Sequence, residues 1–462
     1  MFNKLTTFSL AALALTSVSC NSGSTAKGTN TDSSMVRLIT LDPGHFHAAL
    51  VQKTMYPGID SVVHVYAPDG EELNAHLALV KQYNERTEKP THWQEEIYKG
   101  NDFLDKMVAD KKGNVVVIAG NNLRKTEYIK KSVDAGLNVL ADKPMAITSA
   151  GFDLLLQSFE EANKKNVLLY DIMTERSEIT TILQRELMKQ QDVFGTLQQG
   201  TKDNPAVVME SVHHFYKYVS GNALKRPTWF FDPEQQGDAM ADVGTHLVDL
   251  VQWESFPDKI IDYKKDIVVE SASRWATPLT LSQFAAMTRQ DSFPSFLKKF
   301  VQKDTVLNII ANGDINYTIN GVHAKIAALW HYQAPEGSGD THYSLFRGTK
   351  ANLIIKQGKE EQFQPTLYIE PLTNNADFEQ KLQAAIQQIA ANYQGIGVVK
   401  TVKGWKMNIP DSYKVGHEAH FGQVMERFLQ YLKNKKLPDW EQPNMIAKYY
   451  TTTKALQMAT TK

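Results

Sequence analysis

Three residues, Asp142-Lys143-Pro144, close the apolar run NVLA and lead into a helix start, TSAG. Pro144 fixes the backbone beside the lysine. Such a lysine is either a solvated turn residue or a cation held at a strand end, able to stabilise an oxyanion on a substrate. A second stretch, GDAMADVGTHLVDLVQW (237–253), bears on the choice. Read at helical period, Asp242, Thr245, His246, Asp249 and Gln252 share one face, and Val243, Leu247, Leu250 and Val251 the other. An Asp and a His four residues apart can hydrogen-bond and present a paired base. That face is either solvated or functional, and it has none of the Lys, Arg or Glu that solvated faces usually carry.

The elements that must position these groups alternate in type. VRLITLD, SVVHVYAP, NVVVIAG, LNVLAD and VLLYDI read as strands. EELNAHLALVKQYNE, KTEYIKKSVDAG and AGFDLLLQSFEEANKK read as helices, the second stopped by Gly136. This alternation predicts βαβ units and a doubly wound parallel sheet over 36–175. Ligands of such sheets bind beyond the carboxyl ends of the strands. Pro43-Gly44-His45, Ala119-Gly120-Asn121-Asn122 and Asp142-Lys143-Pro144 all lie at such ends, so they are expected to share one crevice. Beyond residue 194 aromatic and Thr-rich runs replace the alternation. They predict an α+β domain over 176–462, with a large, mostly antiparallel sheet, turns at Gly313, Gly321 and Gly337-Ser338-Gly339, and helices at the C-terminal end.

The chain has 462 residues, 42% hydrophobic and 22% charged, with 50 basic against 51 acidic side chains. That length asks for two domains. The balanced charge, without a basic block, excludes nucleic acid as an expected partner. Residues 1–20, MFNKLTTFSLAALALTSVSC, have the layout of a secretory signal. They end at Cys20, the one cysteine, so no internal disulfide is possible. The position of Cys20 resembles a bacterial lipobox, with Ser17 departing from the usual Leu or Val. Residues 21–35 are small and polar, a flexible tether. The expectation is an exported protein, anchored by a lipid on Cys20 at the periplasmic face of a membrane.

With both motifs in view, the sequence resembles the glucose–fructose oxidoreductase/inositol dehydrogenase (Gfo/Idh/MocA) superfamily from about Val36 onward. Asp142-Lys143-Pro144 stands for the family's Glu-Lys-Pro. Asp242, Gly244, His246 and Asp249 match its D-x-G-x-H-x-x-D helix. The resemblance implies a Rossmann-like N-terminal domain and a nicotinamide cofactor, with Asn122 near the nicotinamide ribose. The glycine fingerprint departs: Asp42-Pro-Gly44-His45-Phe46-His47 keeps one glycine of G-x-G-x-x-G. His45 and His47 could offer side-chain donors in its place. They could also ligate a metal, but no third ligand is evident in the sequence and none is expected. Asp69 lies at the usual interval after Gly44 to hold the adenosine ribose, or it is an ordinary Asp-Gly turn. No Arg or Lys follows it closely, which favours NAD and leaves NADP open.

The groups then assign themselves. His246 is the base that takes a hydroxyl proton, Asp242 orients it, and Lys143 stabilises the developing alkoxide. Asp249 is structural or accepts from a substrate hydroxyl. His213, Arg226 and Trp229, with His214 and Lys217, suit a sugar or a packed loop. His417 and His420 read as helix-face residues. The expected activity is an NAD-linked oxidation of a sugar or glycoside hydroxyl, with the cofactor tightly retained because export separates the chain from the cytoplasmic pool. Two alternatives are a redox-neutral NAD-dependent glycosidase and a non-catalytic sugar-binding lipoprotein. A homo-oligomer through the C-terminal sheet is compatible with either. Substituting Cys20→Ala is expected to move the protein from the membrane fraction to the soluble fraction without altering its melting temperature. An unmodified mature N-terminus elsewhere than Cys20, seen by mass spectrometry, would refute the anchor.

Overall fold

The fold is described from a computed structural model, which covers residues 35–219 and 222–461. Residues 1–34, with the segment read as an export signal, Cys20 and nearly all of the segment read as a tether, lie outside the described residues. In chain order the N-terminal elements are β1 (Leu38–Leu41), α1 (His47–Leu50), β2 (Val62–Ala67), α2 (Glu71–Glu85), β3 (Gln94–Lys99) and α3 (Phe103–Asp110). Then come β4 (Val115–Ile118), α4 (Asn122–Asp134), β5 (Asn138–Asp142), α5 (Ser149–Lys165) and β6 (Leu169–Ile172). All pairings are parallel and the strand order is β3-β2-β1-β4-β5-β6. This is the doubly wound order, with its switch point between β1 and β4. β1, β4, β5 and β6 bury nearly every residue, as strands covered by helices on both faces must. β3 was not read from the sequence, because its QEEIYK is an edge strand without an apolar run.

The second half comprises α6 (Ile179–Met188), β7 (Val207–Tyr216), β8 (Tyr218–Val219), β9 (Asn222–Ala223), α7 (Pro233–Gln236), α8 (Val243–Ser255), β10 (Ile267–Thr280) and α9 (Leu281–Thr288). It continues with β11 (Val301–Gln302), β12 (Val306–Ile319), β13 (Val322–Gln333), β14 (Thr341–Arg347), β15 (Ala351–Lys356) and β16 (Thr366–Pro371). It ends with α10 (Ala376–Ala390), β17 (Gly397–Lys400), β18 (Trp405–Asn408), α11 (His417–Asn434) and α12 (Glu441–Thr460). Ten strands form one sheet, in the order β10-β12-β13-β7-β14-β15-β16-β18-β17 with β11 on β12. β13 and β7 run parallel; the other neighbours are antiparallel. Gly321 turns the β12–β13 hairpin as expected, with φ +78°. Gly313 does not turn. It sits inside β12 opposite Arg274 and Ala328, where a Cβ would come within 3.0 Å of the Met240 side chain. The strand runs straight through and the glycine makes room for methionine.

α11 and α12 return to the first half, placing Phe421, Val424, Met425, Phe428, Met445 and Tyr449 in its core. They also bring buried charge. Arg176, just past β6, donates to both oxygens of Asp249 on α8 (2.6 and 2.7 Å) and to Glu441 on α12 (2.8 and 3.0 Å). Lys448 of α12 bridges Asp249 and Asp171 of β6, each at 2.7 Å. None of these five side chains is more than 3% exposed. No helix among the described residues is long and apolar enough to cross a membrane. Lys448→Met would leave two buried carboxylates short of a partner, so it is expected to lower stability by about 3–5 kcal/mol. The urea unfolding midpoint measures this; a shift equivalent to less than about 1 kcal/mol would mean that the network does not bind the halves together.

Candidate active site

One cavity of about 520 Å³ opens at the carboxyl ends of β1, β4 and β5. Asp142 is the last residue of β5, and the Lys143–Pro144 bond that follows is cis. Lys143 Nζ donates to Asp242 Oδ1 at 2.5 Å. Burial works against both charges, but each sustains the other. Asp242 is held down at about 2 by Lys143, and Lys143 is raised by Asp242 and Asp142. Asp242 occupies the N-cap of α8 yet makes no capping bond, since its carboxylate is spent on the lysine. His246 follows one turn on. It lines the cavity, and its Nδ1 is buried without a hydrogen-bond partner among the described residues. Burial, then the Lys143 charge, hold its imidazole well below the ordinary 6.5.

The expected Asp242–His246 hydrogen bond is therefore absent. The lysine, a stronger partner in a buried setting, takes the carboxylate instead. Of the two roles open to Asp249 the structure favours the structural one and not substrate binding, because it lies off the cavity. Arg176 and Lys448 occupy both its oxygens, which holds its pKa far below the carboxylate range despite burial. His213 is in place, between Ser211 Oγ (2.9 Å) and Asp340 (3.2 Å) on the sheet side of the cavity. Arg226 and Trp229 also line the cavity, and both donate to protein acceptors. Arg226 donates to the carbonyls of Phe215 and His214, and the Trp229 indole donates to Glu72 at 2.6 Å. His417 and His420, read as helix-face residues, line the cavity from α11.

Four groups were missed in sequence reading. Lys125 is buried on α4 and donates to the carbonyls of Asp142 and Lys143, with burial pulling it down to about 8. Glu175 lines the cavity and is pushed up to about 7, by burial first and Glu178 second. Asp340 gathers His213, His214 and Lys217, and these hold it ionised against burial. His342 lies beside them, lowered to about 4 by burial. None stands in a motif, and only Lys125 has a sequence signal: a lysine on the inward face of an amphipathic helix.

A dinucleotide meets two different ends in this crevice. Lys143 and Asn122, the residues that the family resemblance puts near the nicotinamide, both lie in the lining of the cavity. Asn122 is buried, and its amide donates to the backbone and side chain of Gln236, tying the two halves together beside the cavity. At the β1 turn, the amides of Gly44, His45 and His47 already serve Asp42, Ala119 and His45. The Glu72 carboxylate lies over Gly44, 2.5 Å from where a Cβ would stand. Asp69 is exposed past β2 and pairs with Lys99 at 2.9 Å. The cation thought absent beside it is thus supplied by the end of β3. The residues present fit a nicotinamide dinucleotide provided that the flexible Glu72 side chain turns away.

Comparison with known proteins agrees. Residues 44–170 match the family model "Oxidoreductase family, NAD-binding Rossmann fold". Residues 183–460 match "Putative oxidoreductase C terminal domain". The chain belongs to the Gfo/Idh/MocA oxidoreductase superfamily. A crystal structure described as a "putative oxidoreductase" from Parabacteroides merdae is 54% identical, with TM-score 0.91 over 93% of this chain and 98% of that one. Levoglucosan dehydrogenase, in complex with NADH and levoglucosan, is 12% identical, with TM-score 0.57 over 92% and 97%. KijD10, a 3-ketoreductase from Actinomadura kijaniata in complex with NADP, is 13% identical, with TM-score 0.52 over 92% and 97%. At such identity the last two show a shared fold. A comparison with curated proteins returns no match.

Glu72→Gln removes a negative charge from the turn that a diphosphate must approach. It is expected to tighten NADH binding roughly tenfold, about 1.4 kcal/mol. A fluorescence titration that gives the wild-type Kd would show that Glu72 leaves the turn at no cost.

Proposed function

We propose that the protein transfers hydride between a nicotinamide dinucleotide and a ring hydroxyl carbon of a sugar or glycoside. The observation that carries this is the arrangement at the β5 end: a buried Lys143–Asp242 pair beside an unpartnered His246, all lining one cavity. When bound, the dinucleotide accepts or returns the hydride. The protein's own residues handle the proton and the oxygen. Lys143 donates to the substrate oxygen as negative charge develops there. Asp242 keeps that lysine charged. His246, neutral in its buried setting, has a lone pair to take the hydroxyl proton. On the sheet side, His213, Lys217, Asp340 and Thr341 offer donors and acceptors suited to a polyhydroxyl ligand. We further infer that the work is done at the periplasmic face of a membrane, on a lipid tether at Cys20.

Lys143→Met alone would strand the buried Asp242 carboxylate, so Lys143→Met/Asp242→Asn is the cleaner test. Its melting temperature is expected near wild type while kcat falls by about 10²–10³, the typical loss on removing one oxyanion donor. The assay is NAD-dependent oxidation of a glycoside panel, with keto sugar identified by mass spectrometry. Free aglycone with unoxidised sugar would replace this reading with the redox-neutral glycosidase. The acid limb of kcat/KM offers a separate check. Protonated His246 is no base, so activity falls as pH drops through its depressed pKa, which lies below 6.5. An acid limb at or above that value, or one unchanged by His246→Gln, would remove His246 from the role.

A further inference from the structure

Asp42 and His47 stand where two glycines of the fingerprint would be, His45 lies between them, and the fold brings Asp142 to both histidines from β5. His47 Nδ1 lies 2.9 Å and His45 Nδ1 3.7 Å from the same oxygen, Asp142 Oδ2. One ligand atom from each of the three residues falls within 4.8 Å of the other two. Ligands held at about 2.0–2.1 Å around a tetrahedral ion sit roughly 3.3 Å apart, between the two observed separations. A plain His–Asp hydrogen bond would explain His47 but leaves two facts over. The His45 ring also turns its Nδ1 toward that oxygen, packed edge-on against His47 with centroids 4.1 Å apart, and this nitrogen accepts only a long 3.4 Å bond from the His47 amide, which an ion would displace. Asp142 Oδ1 is buried with no hydrogen-bond partner among the described residues, although Asp142 is only 4% exposed. The expectation of no third ligand is thus corrected: the sequence hid it 95 residues away, on another strand.

We propose that His45, His47 and Asp142 form a three-ligand site for a divalent transition metal of the imidazole-preferring class to which zinc belongs, with its open position toward the cavity. Two lysines, 125 and 143, also face this region, and they repel a cation. Ligation by imidazole must outweigh them, which selects zinc or cobalt over magnesium or calcium. The open position faces the same space as Lys143, so the ligand class that completes the shell is a substrate oxygen. His417, with its ring centroid 5.4 Å from that of His47, is close enough to support the set. This site does not depend on the oxidoreductase reading.

The test uses untagged, nucleotide-free protein covering the whole described chain. After chelator treatment and titration with Zn²⁺ or Co²⁺, about one ion per chain is expected. It should raise the melting temperature, and Co²⁺ should give the intense visible absorption of a low-coordinate nitrogen–oxygen site. His45→Gln and His47→Gln should each weaken Co²⁺ binding at least tenfold, while His92→Gln, an exposed histidine elsewhere, should not. Wild-type protein that binds no metal, or histidine variants that retain both the spectrum and the melting shift, would overturn the proposal. Should those variants fail to fold, Asp142→Asn and the wild-type cobalt spectrum decide: a weak octahedral spectrum refutes the site. Because no nucleotide or substrate is present, a negative result leaves the hydride-transfer reading standing.

Discussion

Arg176 grips Asp249 with two parallel hydrogen bonds in a setting closed to water, and Lys448 takes the same carboxylate from α12. A bidentate guanidinium–carboxylate pair fixes orientation as well as distance. It therefore sets the rotation of α8 about its own axis. Two turns earlier on the same helix, Asp242 reaches Lys143 at the end of β5. Both carboxylates of the motif helix thus point at cations anchored in the parallel-sheet half. His246 lies between them with no such commitment. Its freedom to face the cavity follows from the two charges that are tied down.

This arrangement has a thermodynamic logic. A buried ion network is weak evidence for net stability, since hydrophobic replacements often do as well. What it supplies here is direction: Arg176 and Asp171 of one half are tied to Asp249, Glu441 and Lys448 of the other at a fixed geometry. The sacrificed cap at the start of α8 points the same way. An Asp at an N-cap ordinarily contributes about 1 kcal/mol by bonding a backbone amide. Asp242 gives that up for a lysine 99 positions away in sequence. Local helix energetics yield to the geometry of the cavity.

Much of this was legible before any coordinates. Five apolar strands in alternation with helices predict the parallel sheet, and the two short motifs pick out the lysine and the helix that face each other. The omissions share a cause. Pattern reading sees burial that repeats and chemistry that is local. β3 is a polar edge strand, so it has no period to detect. Gly313 looks like a turn because glycine usually marks one, yet here it clears space for Met240 from another element. The helical wheel grouped Asp242, His246 and Asp249 as one polar face, and correctly. It could not tell that each carboxylate faces a different long-range cation, because Arg176 and Lys448 are remote in sequence. His417 and Asp340 are silent for the same reason.

The β1 turn shows how far such long-range partners reshape a familiar element. In the fingerprint form, free backbone amides and the absence of side chains let a diphosphate sit against the glycines. In this chain the amides are already bonded, and an acid lies across the one glycine that survives. That acid, Glu72, is held by the indole of Trp229, which belongs to the second domain. A dinucleotide that took the turn would displace Glu72, and displacing Glu72 would release the Trp229 indole from its acceptor at the wall of the cavity. Glu72 thus touches both halves of the crevice, the β1 turn by its place over Gly44 and the cavity wall through the indole of Trp229. If a substrate draws Trp229 away from Glu72, linkage requires that it ease entry of the dinucleotide and that the dinucleotide favour the substrate by the same factor.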